Sequence, residues 1–256
     1  MSTLRPALRF LGCLLGTVVL IPLVLVAALT ATFARTAGLR LGSVATQLWG
    51  MMLHRALGVH VRVEGPLPPR GAFVACNHLS YIDILVLGAT YRSTFVAKQE
   101  LGGWPLIGPM IRGAGTLLID RERARDAKRI NAELRGLLEK GHRITLFPEG
   151  TSGSGKGILP FKAALFAPPA ALGVPCVPAT LTYSTPGADP ALGGPSQTVC
   201  WWNDMPFAPH FFKLARLRRI EAVLRFGEPV SGITERKQLA DAVRSRILDL
   251  FEPVPD

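Results

Sequence analysis

Cysteine is scarce, with four in 256 residues at positions 13, 76, 176 and 200, and no C-x-x-C pair occurs among them. Neither a disulfide framework nor a thiolate zinc site is indicated, and a reducing compartment suits the four thiols. Acidic residues are also short: 18 Asp plus Glu stand against 29 Lys plus Arg, a formal charge of +11. Such an excess draws a protein to anionic surfaces, either nucleic acid or acidic lipid headgroups. Hydrophobic content of 48% favours the lipid. The chain has no internal repeat, no low-complexity segment and no RNA- or DNA-binding motif, so nucleic acid is not expected as a partner.

Charge itself is missing from Phe10 to Ala34, the run FLGCLLGTVVLIPLVLVAALTATFA of 25 residues. As a helix rising about 1.5 Å per residue, it exceeds a hydrocarbon core of about 30 Å. A cleaved signal peptide, with Arg5 and Arg9 as its basic start, is the competing reading, but the run is too long for the usual apolar region of such a peptide. Pro22, at the centre, can kink a spanning helix or mark the tip of a hairpin that enters and leaves by one face. Arg35, Arg40, Arg55 and Arg62 follow the run and outnumber the two arginines before it. The positive-inside bias therefore assigns the remainder to the cytoplasmic side of an inner or cytoplasmic membrane. On this reading residues 1–57 are an anchor and basic helical connector, and residues 58–256 form the working domain.

In that domain LGVHVRVEG alternates apolar and polar residues as a half-buried strand does. GAFVAC, STFVAK, GTLLID, HRITLF and VPCVPATL are short apolar runs bounded by Gly, Pro or polar residues, with helical patterns between several of them. The expected class is α/β, a mixed sheet flanked by helices and preceded by a membrane-embedded helix or helical hairpin. ERARDAKRINAELRGLLEK places Ile130, Leu134, Leu137 and Leu138 on one helical face and ends at Gly141. TERKQLADAVRSRILDLF repeats the pattern with Leu239, Val243, Ile247 and Leu250. The adjacent Pro168 and Pro169 are expected to interrupt a helix. WWNDMPFAPHFFKLARLRR mixes rings and cations, which suits either a bilayer interface or core aromatics beside a basic helix.

The string GTSGSGKG, residues 150–157, comes within one residue of the phosphate-binding pattern G-x-x-x-x-G-K-[ST]. The final hydroxyl, needed for magnesium, is replaced by Gly157, and Pro160 delays any helix that would face the phosphates. The serine-hydrolase pattern G-x-S-x-G is absent as well. More telling is the start of the string: HRITLF reads as a strand, and Pro-Glu-Gly turns the chain at its carboxyl end, where α/β sheets place their chemistry. Glu149 is then expected to face the crevice.

CNHLSYID follows the strand GAFVA. His78 and Asp83 are not on one face of a continuous helix. They can meet if His78 closes the loop after the strand and Asp83 opens the next helix. The carboxylate would then fix the imidazole tautomer while the other nitrogen takes a proton from a substrate hydroxyl. Two other readings stand beside this one. Ser80-x-x-Asp83 matches a helix capping box, in which Asp83 only meets backbone donors. Cys76 and His78, two apart in an extended strand, could form a thiolate-imidazole pair.

Together these residues resemble the glycerolipid acyltransferases, the 1-acylglycerol-3-phosphate acyltransferase family. Asn77-His78 with Asp83 is similar to their NHx4D motif, GTLLIDR ending at Arg121 to a second block, FPEGT (Phe147 to Thr151) to a third and VPCVP to a fourth. The resemblance, over roughly residues 59–183, implies transfer of a fatty acyl group from acyl-CoA or acyl carrier protein to the free hydroxyl of a lysolipid. His78 is then the general base and Asp83 its orienter, with no covalent acyl-enzyme and neither metal nor cofactor. It further implies that Glu149, Gly150, Thr151, Ser152 and Lys156 shape the acceptor pocket with Asn77, and that Arg121 and Lys98 hold an anionic headgroup. The first expectation for the acceptor is 1-acyl-sn-glycerol-3-phosphate, giving phosphatidic acid. One departure weakens it: phosphatidic-acid-forming members usually carry Arg after FPEGT, and this chain has Ser152. EGTSGSGKGILPFKAALF and WWNDMPFAPHFF look closer to the lyso-ornithine-lipid acyltransferases, which makes a phosphorus-free acceptor the alternative. A non-catalytic, basic membrane-binding scaffold is the alternative from another class.

Overall fold

The computed structural model describes residues 4–120 and 123–255; Arg121, expected to hold a headgroup, lies outside them. Helices α1 (Leu4–Val19), α2 (Ile21–Phe33) and α3 (Arg35–Ala56) come first. They are followed by β1 (Val59–Glu64), β2 (Phe73–Cys76), α4 (Asp83–Thr90), β3 (Thr94–Lys98), α5 (Ile107–Gly113), β4 (Leu117–Ile119), α6 (Ala124–Glu139) and β5 (Ile144–Leu146). The chain continues through α7 (Ala167–Leu172), β6 (Cys176–Ser184), α8 (Pro195–Thr198), α9 (Phe207–Leu214), β7 (Ile220–Phe226) and α10 (Arg236–Leu250). Among the described residues the strands form one 7-stranded sheet, ordered β1-β7-β6-β2-β5-β3-β4.

The sheet is mixed, as expected. β2 pairs in parallel with both β5 and β6, and β3 pairs in parallel with β4 and β5. β7 runs antiparallel to β6, and β1 is parallel to β7. Alternation along β2 splits the core: Val74 and Cys76 face one cluster with Leu53, Leu85 and Leu214, while Phe73 and Ala75 face another with Ile130, Leu134 and Ile247. Helices thus cover both faces. In α6 the stripe Ile130, Leu134, Leu137 and Leu138 is buried as its spacing predicts. In α10, Glu235 caps the first turn by accepting from Lys237 N–H (2.9 Å) and Gln238 N–H (2.8 Å). Burial of Leu239, Val243 and Ile247 on α10 stabilises its seat by about 1.5–3 kcal/mol for each large side chain.

Two local expectations change. Pro168 and Pro169 do not interrupt a helix; they lie in the first turn of α7, where a missing N–H costs nothing. Pro22 is not the tip of a hairpin. It sits at the start of α2, after a break at Leu20, and the chain reverses instead at Ala34 between α2 and α3. The α2/α3 contact is close enough that a Cβ on Gly38 would lie 2.4 Å from Ala31 N, so glycine permits it. Farther along α3, Trp49 Nε1–H donates to Thr17 Oγ1 of α1 at 3.0 Å. Leu4–Phe33 is long and apolar enough to cross a membrane by length and composition. Leu4, Leu8, Leu11 and Leu15 on α1 are 63%, 57%, 48% and 54% exposed.

Candidate active site

β2 and β5 are neighbouring parallel strands, and both carboxyl ends open on one crevice. The loop after β2 carries His78, and the turn after β5 carries Glu149. His78 Nδ1 lies 2.7 Å from Asp83 Oδ2. The same Oδ2 accepts from Leu79 N–H (2.6 Å) and Ser80 N–H (2.9 Å), while Oδ1 accepts from the Tyr183 hydroxyl (2.7 Å). Asp83 is wholly buried, which a carboxylate tolerates when its lone pairs are met. The imidazole contact and the backbone contacts are therefore not rivals, because one oxygen serves both, although the N-cap position of α4 is Ile82 and carries no side-chain cap. Among the described residues the Ser80 half of a capping box is not made, and Ser80 Oγ is buried without a partner.

With Nδ1–H donating to Asp83, the lone pair of His78 lies on Nε2. No hydrogen bond among the described residues reaches Nε2. The ring stacks on Phe147, with centroids 4.1 Å apart and planes inclined by 17°. Glu149 accepts from His78 N–H with Oε1 (2.8 Å) and from Leu159 N–H with Oε2 (2.7 Å). Burial pushes its carboxyl above the usual range, partly offset by those two donors and by His78. Glu149 is thus a strut joining the two loops, with both oxygens occupied. Gly150 has φ +78° and donates to Phe147 O at 3.1 Å; a Cβ there would strike Lys162, 3.0 Å away.

The glycine-rich string wraps the same loop. Gly153 N–H donates to His78 O (2.9 Å), Ser196 Oγ to Ser154 O (2.8 Å), and Ser152 Oγ to Trp201 O. No α-helix follows it until Ala167, so a phosphate cradle at a helix N-terminus does not form. Asn77 is fully buried and spends its side-chain amide on β6, with Nδ2 to Leu181 O (3.0 Å) and Leu181 N–H to Oδ1 (2.7 Å). Lys98 at the end of β3, Thr151 and Lys156 are exposed. Cys76 is wholly buried, and burial pushes its thiol well above the ordinary value, the reverse of what a nucleophilic thiolate needs.

His78 stands at the edge of a cavity of about 370 Å³ whose lining is mostly apolar. Its walls come from α1 (Phe10, Leu14), α3 (Trp49, Leu53), α5 (Met110, Ile111) and α9 (Phe207, Phe211). A ring cluster of Tyr81, Trp201 and Phe207 covers the loop. Tyr81 O–H donates to His210 Nδ1 (3.1 Å), and His210 Nε2–H donates to Cys200 O (3.0 Å). Burial lowers the His210 pKa to about 4, against weaker opposition from the Cys200 carbonyl. The aromatic segment is thus part brace and part surface: Phe211 is 8% exposed and Phe212 44%. Sequence reasoning missed Tyr183. The available signal was a tyrosine in phase with Ala179 and Leu181 on a buried strand face, where its hydroxyl needs a partner.

The mixed α/β fold thus sets a histidine–carboxylate pair beside an apolar cavity. Residues 59–182 match the family model described as Acyltransferase. A lyso-ornithine lipid O-acyltransferase of Rhodobacter capsulatus is 40% identical over 200 residues, covering 75% of this chain and 70% of the relative. A 1-acyl-sn-glycerol-3-phosphate acyltransferase of Neisseria meningitidis is 43% identical over 117 residues, 46% of each chain. Among solved structures, the 1-acyl-sn-glycerophosphate (LPA) acyltransferase PlsC from Thermotoga maritima has the same fold, with a TM-score of 0.62 at 21% identity over 94% of this chain and 95% of that one. The chain belongs to the acyltransferase family and is a lysolipid acyltransferase.

Proposed function

We propose that the chain O-acylates lyso-ornithine lipid, using His78 as general base and Asp83 as its orienting partner. The observation that carries the mechanism is the 2.7 Å contact between His78 Nδ1 and Asp83 Oδ2 at the edge of the apolar cavity. The acceptor hydroxyl gives its proton to Nε2 as its oxygen bonds to the thioester carbon. The C–S bond then breaks, and the departing thiolate recovers that proton from the imidazolium. The donor is an acyl thioester of coenzyme A or a carrier protein, with its acyl chain in the cavity. Asp83 stabilises the imidazolium, and Tyr183 steadies Asp83. Asn77 and Glu149 hold the loops in place, while Gly150, Thr151, Ser152 and Lys156 border the acceptor; Lys98 and Arg121 are assigned to its anionic groups by the family resemblance alone. Residues 1–57 form the membrane anchor and connector and residues 58–256 the catalytic domain, which faces the cytoplasm against an anionic inner or cytoplasmic membrane.

Two observations support the phosphorus-free acceptor over the lysophosphatidate first expected. Ser152 stands where a phosphate-binding arginine is usual, and its hydroxyl is engaged by Trp201 O. The lyso-ornithine relative also matches through most of its length. Lysophosphatidate remains the second reading, favoured by the higher identity to the Neisseria relative within the central region. Product analysis by mass spectrometry, with both lysolipids in competition and oleoyl-CoA as donor, tests the choice. Incorporation into lyso-ornithine lipid is expected, and exclusive formation of phosphatidic acid would reverse it.

A further inference from the structure

A second cavity, about 340 Å³, lies beside the first turn of α1 and is lined by Arg5, the 187–192 loop and the turn carrying Arg216 and Arg218. Three arginines line it against one acidic residue, Asp189, whose Oδ1 accepts from Ala191 N–H (3.0 Å). Arg5 donates to Arg216 O (3.1 Å), and Arg9, one turn on, donates to Leu217 O (2.6 Å) and Arg218 O (3.1 Å). The α1 arginines thereby pin the turn by its carbonyls. Arg216 and Arg218 are exposed, and among the described residues their side chains have no hydrogen-bond or ion-pair partner. Like charges gathered at one concavity repel, and an anion relieves that cost. A guanidinium fork matches phosphate oxygens in particular.

We propose that this cavity binds the phosphate headgroup of an anionic phospholipid from the surrounding bilayer, at a site separate from the acceptor's. A lipid is favoured over a soluble phosphate because the exposed stripe Leu4, Leu8, Leu11 and Leu15 begins at the same helix end and offers its tails an apolar track. The cavity does not include His78, yet α1 borders both sites, with Pro6 at the headgroup and Phe10 at the acyl cavity. An occupant therefore holds α1 in place as a wall of the reaction chamber. The inference rests on the membrane attachment proposed above.

The test is cosedimentation of the full chain with phosphatidylcholine vesicles, with and without one-fifth phosphatidylglycerol, comparing wild type, Arg216→Gln/Arg218→Gln and a distant control, Lys128→Gln/Arg135→Gln on α6. Neutral vesicles test the attachment by itself: failure of the wild type to sediment with them would sink the membrane reading. With attachment intact, the anionic preference should fall about fivefold per arginine removed from the cavity and much less in the control. Equal losses in the two double variants would mean general surface attraction and overturn the proposal. Full displacement of the preference by millimolar inorganic phosphate at constant ionic strength would make this a soluble-phosphate site and overturn it equally.

Discussion

The loop that carries His78 and the helical layer that walls the apolar cavity are held by different forces. From Asn77 to Asp83 nearly every polar group is spent: the Asp83 carboxylate meets four donors, Glu149 joins two loops, and Asn77 completes the edge of β6. Where α1–α3 pack on one another the contacts are mostly apolar and rely on small residues such as Gly38, with Trp49 to Thr17 as a polar tie; other polar ties, such as those from Arg5, Arg9 and Arg35, run outward to the domain. Hydrogen bonds fix angles, which the proposed role of His78 as general base needs. Apolar contacts fix proximity with little angular preference, which suffices for a wall that receives a flexible chain. Changes in the first region should alter the rate of chemistry, and changes in the second should alter which lipids are used.

The largest expected effect is at the proposed base. His78→Ala should lower acyl transfer by about 10²- to 10⁴-fold with little change in melting temperature, while Cys76→Ala stays near wild type. An active His78→Ala enzyme with a dead Cys76→Ala enzyme would establish a thiol mechanism and dissolve the contrast. Next is acid sensitivity in the brace over the loop. His210 titrates near 4 in the fold against an ordinary 6.5. Between those values the unfolded chain binds more protons, so stability should fall as pH drops through that window, by up to about 3 kcal/mol. His210→Phe should flatten that part of the curve, and unfolding midpoints in urea from pH 7 to 4 measure it.

In the helical layer, Gly38→Val must push α2 off Ala31 and should cost about 1–3 kcal/mol. It should shift acyl-chain preference while leaving the pH profile of the chemistry in place; a moved pH profile would show that the two regions are coupled. The smallest expected effect belongs to Tyr183→Phe. Loss of its hydrogen bond leaves Asp83 a stronger partner for imidazolium, so the acid limb of kcat/KM should move to higher pH. The groups facing Asp83, namely His78, Cys76, Cys200 and Glu149, are otherwise unchanged. A rate loss of about threefold to tenfold is expected, and a profile that stays put would reduce Tyr183 to packing.

Much of this was legible in the chain. Short β-branched runs between punctuating glycines and prolines gave the strands, because such residues fit a buried pleat. IEAVLRF was harder to single out: Glu221 and Arg225 alternate with its buried positions, and it follows a basic stretch that reads as helix. The reversal at Ala34 was hidden because nothing around it breaks a helix locally, whereas Pro22, the stronger local signal, produces only a kink. At the site, spacing alone could not separate a cap from a dyad, since the question assumed one role per carboxylate. Tyr183, 100 residues away from Asp83 in sequence, is joined to it only by the packing of β6 beside β2.

The two sides of α1 carry a final consequence. Phe10 and Leu14 border the acyl cavity, while Leu11 and Leu15, next along the chain, face outward. On that side the partition between the proposed reaction chamber and the surroundings is therefore a single helix, about 10 Å across. In a membrane, a fatty chain could slip sideways past that partition without its tail ever meeting water, so exchange of substrate for product would become a matter of lateral diffusion in hydrocarbon.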